Sequence, residues 1–77
     1  MGKRVEVISE ITGTVWKIER AIGERLAEGD PLVIVESMKM EIPIEAPCAG
    51  SLLELRCAEK DSVHEGDVVA VLEMDPS

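Results

Sequence analysis

With 77 residues the chain has room for one domain, read as residues 1–77, and its core is thin, because a domain of this size buries roughly 60% of the surface its unfolded chain exposes. Trp16 is the one aromatic residue, so that core must be built from Val, Ile, Leu and Ala. Asp and Glu number 16 against 8 Lys and Arg, a formal net charge of −8, which excludes nucleic acid and anionic membrane surfaces as partners and favours a protein with a basic docking surface.

The chain opens on "MGKRVEVIS", which has two basic residues but no apolar signal core or cleavage site, and no later apolar run approaches a membrane span. A cytoplasmic location is therefore expected. "RVEVI" alternates polar and apolar residues, as a half-buried strand does. "GTVWKI", "PLVIVES", "MEIPIEA", "GSLLELR" and "DVVAVLEM" follow as strands, short, rich in β-branched residues and bounded by Gly, Pro or Asp. "PLVIV" and "VVAVL" are continuously apolar and suit central positions. The two "EGD" tripeptides are turns, since Gly accepts positive φ and Asp bonds its neighbouring backbone; short strands "ERL" and "DSV" precede them. Pro43 and Pro47 make "MEIPIEAP" an edge strand or one that ends early, because proline cannot donate to a ladder. The segment "IERAIGERLAEG" is read as loop and short strand, since Gly23 interrupts its helical spacing.

These elements form a repeat. Gly13 to Glu36 aligns without a gap on Gly50 to Glu73, and Glu28-Gly29-Asp30 falls on Glu65-Gly66-Asp67. Apolar positions match as well, Val15 with Leu52 and Val35 with Leu72 among them. The expectation is all-β: about eight short strands in two small sheets, a flattened barrel or sandwich of two pseudo-twofold-related halves.

The repeat isolates one stretch. Glu36 matches Glu73, yet after Glu36 the chain continues into "SMKMEIPIEAP". "SMKM" is thus the link between the units, a hairpin tip at one end of the molecule, with the chain termini near the other. With Met38 and Lys39 as the central residues of a type I′ hairpin both need positive φ, and since neither is Gly or Asn the turn is expected to be strained. As a catalytic amine Lys39 would need burial or a neighbouring cation; an exposed tip with Glu36 and Glu41 close by is the reverse. The remaining chemistry is covalent attachment, with Met38 and Met40 exposed for recognition in a protein that otherwise hides its apolar side chains. Cys48 and Cys57 do not make a disulfide framework and, with His64 the one histidine, lack company as metal ligands. They read as small buried apolar residues.

"ESMKMEIP", the strand before it and the "GSL…VHEGD" half after it resemble the biotinyl domain of biotin-dependent carboxylases, most closely the stand-alone biotin/lipoyl attachment proteins. The resemblance runs from about Val5 to Glu73. It implies a barrel-sandwich hybrid in which Lys39 carries biotin through an amide formed by a biotin protein ligase, Met38 and Met40 being the flanking methionines and Glu36 the upstream glutamate. It also implies a carrier without catalytic residues or metal, monomeric in isolation, passing a carboxyl group from a biotin carboxylase to a carboxyltransferase. Ser37 stands where the family often has alanine, and "ERAIGERLAEG" is too short for the thumb of one bacterial carrier subunit. The rival from the same fold is a lipoyl-type acyl carrier, or a protein accepting both groups; lipoyl tips usually carry Asp where Met38 stands. An unmodified interaction module is a further alternative, and a small enzyme fails for want of catalytic groups.

Overall fold

The computed structural model describes residues 3–75. The strands are β1 (Arg4–Ile8), β2 (Gly13–Ile18), β3 (Arg25–Leu26), β4 (Pro31–Ser37), β5 (Met40–Glu45), β6 (Gly50–Leu55), β7 (Ser62–Val63) and β8 (Val68–Met74). They pair antiparallel in two four-stranded sheets, ordered β1-β8-β6-β3 and β5-β4-β2-β7. The expected all-β sandwich is what forms, and no helix occurs among the described residues.

The repeat in the sequence is a repeat in space. Moving along the chain by the separation of Gly13 from Gly50 carries β2, β3 and β4 onto β6, β7 and β8, bound for bound, and β1 onto β5. Turn hydrogen bonds repeat too. Ser9 N–H donates to the Asp67 carbonyl at 2.9 Å and its mate Ala46 N–H to the Asp30 carbonyl at 2.8 Å. Both "EGD" turns place Gly at positive φ, 91° at Gly29 and 96° at Gly66. In each, the following Asp carboxylate accepts a backbone N–H three residues back, from Ala27 at 2.9 Å and from His64 at 2.8 Å. The sheets exchange halves, β1 of the first unit lying on β8 of the second, so neither unit closes its core alone.

That core contains no aromatic side chain. Leu32, Leu52, Leu72, Val15, Val33, Val35 and Val69 are fully buried, and Val7 and Ile44 close it from the edge strands β1 and β5. Leu, Ile and Val dominate because a two-layer structure this thin offers space for branched aliphatic side chains interlocking across the gap, at roughly 1.5–3 kcal/mol of transfer free energy per buried side chain. Trp16 lies half outside, at the β2 irregularity between Val15 and Lys17. Cys48 and Cys57 are free and half-buried against the core rather than within it.

Proline placement follows the ladder. Met74 N–H donates to the Lys3 carbonyl at 2.7 Å, and paired residues alternate between bonded and non-bonded, so Arg4–Glu73 and Glu6–Val71 are non-bonded pairs. On β5 the matching pairs are Glu41–Glu36 and Pro43–Ile34. Pro43 therefore lacks its N–H on the side facing away from β4, where no ladder bond is lost. β5 is an edge strand and tolerates it, as the sequence led one to expect.

Candidate functional site

β4 and β5 form a hairpin whose loop is two residues long, Met38 and Lys39, closed by the Ser37–Met40 pair. A loop this short must twist with its strands, and that requires the left-handed backbone at both central positions. Met38 has φ 51° and Lys39 φ 66°, as expected for the centre of a type I′ hairpin, and neither is the Gly or Asn that would relax it. L-residues there cost about 1 kcal/mol each relative to Gly. The strain persists because the hairpin is anchored below: Val35 is fully buried and Ile44 nearly so. The result is a stiff stalk with one amine at its apex.

Met38 is 92% exposed and Met40 63%, and Lys39 is exposed between them. No ion pair engages Lys39 among the described residues. The expectation that the protein hides its other apolar side chains is corrected by the structure, since Ile8, Trp16 and Ile22 are also exposed. The sheets are too few and too narrow to cover every apolar side chain on their outer faces. What remains particular to Met38 and Met40 is that they flank a lysine at an apex.

Two carboxylates sit at the base of the tip. Glu36 and Glu41 face each other across β4 and β5 in a non-bonded pair, the closer of the two cross-strand arrangements, and both are exposed. Like charges directly opposite are destabilising. The sequence had Glu36 as part of the site and Glu41 close by; the two-residue loop sets the two directly opposite each other. Gly13 completes the support. A Cβ there would meet the Glu36 carbonyl oxygen and a Val35 methyl, so β2 can run against the base of the hairpin because residue 13 has no side chain. The match of Gly13 with Gly50 was the signal in the sequence, and a Cβ on Gly50 would likewise meet the Glu73 carbonyl oxygen.

Elsewhere, no cluster of metal-ligating side chains occurs among the described residues. His64 is exposed, with Nδ1 3.6 Å from Asp67. Burial, helped by the Asp61 carboxylate, pushes the Cys57 thiol above its ordinary range, which makes it a weaker nucleophile. No helix is long and apolar enough to cross a membrane among the described residues.

The family described as "Biotin-requiring enzyme" matches residues 4–72. The biotin/lipoyl attachment protein of Bacillus subtilis (strain 168) is 41% identical over 63 residues, covering 82% of this chain and 86% of that protein. The biotinylated protein TB7.3 homolog of Mycobacterium leprae is 37% identical over 67 residues, covering 87% of this chain and 94% of that one. Among solved structures, the urea carboxylase of Kluyveromyces lactis superposes with a TM-score of 0.87 at 34% identity, over 91% of this chain but 6% of that one. The chain thus spans most of its small relatives and a small part of the large enzyme.

Proposed function

The chain belongs to the biotin-requiring enzyme family, as a carrier and not a catalytic domain, and from that membership we propose that it is one attachment domain over residues 1–77 whose Lys39 is the biotin acceptor. The observation that carries this is the Met38–Lys39 turn: an exposed amine at the apex of a two-residue loop held at positive φ by a buried stalk. Attachment joins Nζ to the carboxyl carbon of biotin in an amide: the amine gives up a proton, and the carboxyl C–O bond breaks with its oxygen leaving on the acyl-activating group that a biotin protein ligase supplies. When attached, biotin supplies the ureido nitrogen that carries a carboxyl group from a biotin carboxylase to a carboxyltransferase. The chain's own contribution is presentation. The stalk fixes where the amine starts, Met38 and Met40 offer thioether surface beside it, and Glu36 and Glu41 mark the base for a cationic partner.

The reading includes a cytoplasmic location, where the free Cys48 and Cys57 stay reduced, and a monomer that docks transiently. Its acidic surface favours guided encounter over a large apolar interface. Its carboxylation by a separate biotin carboxylase should saturate only at high carrier concentration and slow as salt is added.

Intact mass of the protein from its host, with a streptavidin blot, tests the assignment. Lys39→Arg keeps the charge and removes the acceptor amine, so labelling should disappear. Biotin on another lysine, or continued labelling of Lys39→Arg, overturns it. A lipoyl load is the second reading, favoured by the biotin/lipoyl name of the Bacillus subtilis relative; its mass increment differs from that of biotin, so the same spectrum decides.

A further inference from the structure

β1 and β5 are each one edge of their sheet, β3 and β7 being the others, and β1 and β5 border a groove of about 620 Å³. The groove lies on the pseudo-twofold axis, because its walls are mates in the repeat: Glu6 with Pro43, Ile8 with Glu45, Glu10 with Pro47. The floor is the apolar edge of the core, Val7 and Ile44. The two walls are not equivalent. On β5, Pro43 stands where the backbone faces away from β4, so that edge offers no N–H there. On β1 the mate is Glu6, in a non-bonded pair with Val71. The N–H and C=O of Glu6 therefore face the groove, and those of Ile8 do the same, since its neighbour Ser9 bonds back to Asp67 and Gly66. Ile8 is 47% exposed beside them. Three carboxylates rim the groove, Glu6, Glu10 and Glu45, and none of its lining residues is a lysine or arginine.

We propose that the β1 edge is a strand-addition site for an extended segment of a partner protein in which apolar residues alternate with lysine or arginine. Its backbone pairs with Glu6 and Ile8. Because side chains alternate along a strand, one set drops toward Val7 and Ile44 while the other rises to the carboxylates. The pattern of the occupant follows from the groove: apolar below, acidic above. A second copy of this chain does not fit, since antiparallel pairing of two β1 strands about their centre sets two Glu6 carboxylates opposite each other. The polarity of the site, a free N–H at Glu6 on β1 and none at the matching place on β5, is built by one substitution between the repeats, Glu6 against Pro43.

The probe is an N-acetylated, C-amidated octapeptide alternating lysine and valine, read by fluorescence anisotropy and by hydrogen exchange of the 77-residue protein. The Glu6 and Ile8 amides should exchange quickly in the free protein and slow when peptide is added. Glu6→Gln removes one charge and should weaken binding a few-fold. Glu6→Pro also removes the groove-facing N–H, at a position where the mate Pro43 shows that the fold accepts proline, and should weaken binding roughly tenfold. Glu45→Lys reverses charge without touching β1 and should act like a stronger Glu6→Gln. Lys39→Arg should bind as the parent does, which separates this site from the tip. Equal binding by Glu6→Pro and Glu6→Gln, peptide-induced protection that avoids β1, or no saturable binding would each overturn the proposal.

Discussion

Where β1 meets β8, Arg4 faces Glu73; at the matching place below the tip, Glu41 faces Glu36. The backbone pairing is the same, and the charges turn an attractive pair into a repulsive one. The two turns that close the repeats' loops differ in the same sense. Gly23 supplies positive φ in the first half, and Lys60 is forced into it in the second. At the tip both central residues are non-glycine at positive φ. A framework repeated this closely shows where stability was given up. Repulsion, strain and exposed thioethers concentrate at the one hairpin apex that has no counterpart among the described residues, and a presentation role accounts for all three.

The largest effects should come from the two close approaches. Gly13→Ala and Gly50→Ala each push a Cβ into a carbonyl of the neighbouring strand, and each should cost about 1–3 kcal/mol by denaturant unfolding. The comparison sharpens in the functional assay. Gly13→Ala displaces Glu36 at the base of the tip and should also slow biotinylation, while Gly50→Ala at the far pair should leave the labelling rate of the folded fraction alone. Equal slowing by both would remove the distinction between the two ends.

Strain is the next test. Met38→Gly and Lys60→Gly both relieve a non-glycine residue at positive φ and should each stabilise by about 1 kcal/mol. Only Met38→Gly should depress carboxyl transfer, because only there does the stiff backbone aim a functional amine. If Met38→Gly were fully active, strain at the apex would be incidental.

Glu41→Arg rebuilds below the tip the arrangement that Arg4 and Glu73 have at the other end. A gain of about 0.2–1 kcal/mol is expected, fading with salt. Ligase labelling should slow at low salt if its docking surface is basic. An unchanged melting temperature would show that the Glu36–Glu41 repulsion is already dissipated in solvent.

Cys57 gives the smallest effect. Its thiol pKa is raised first by burial and then by Asp61, so the folded state holds this proton more tightly than the unfolded chain. Its contribution is fully present below the unfolded thiol pKa of about 8.5 and is lost as pH rises through that value and the raised folded one. The stability difference between parent and Cys57→Ser should be constant up to neutral pH and change only in that alkaline window, the parent falling more steeply. A difference that already varied with pH below neutrality would contradict the assigned cause.

Much of this was legible before any coordinates. Strand identity, the repeat, the "EGD" turns and the edge character of β5 rest on interactions within a few residues: alternation along a strand, the backbone freedom of glycine, the missing N–H of proline. The Lys39 apex followed from them, because the one insertion between two matched units must be their link. Trp16 and Ile8 were less legible. An apolar residue on a strand reads the same whether its face meets the core or water, and the outer faces of two narrow sheets find no third layer to cover them.

What the sequence alone determined is therefore local and periodic: eight strands, their twofold arrangement, and a strained lysine at the turn between the halves. Only the tertiary structure decided which strands became neighbours across the exchange of halves. With that came the close approach of Gly13 to the base of the tip and the free N–H of Glu6 on β1 opposite Pro43 on β5. The physical reason is register. Pairing between residues far apart in the chain fixes which side chains meet and which peptide groups stay free, and no window of neighbouring residues contains that information.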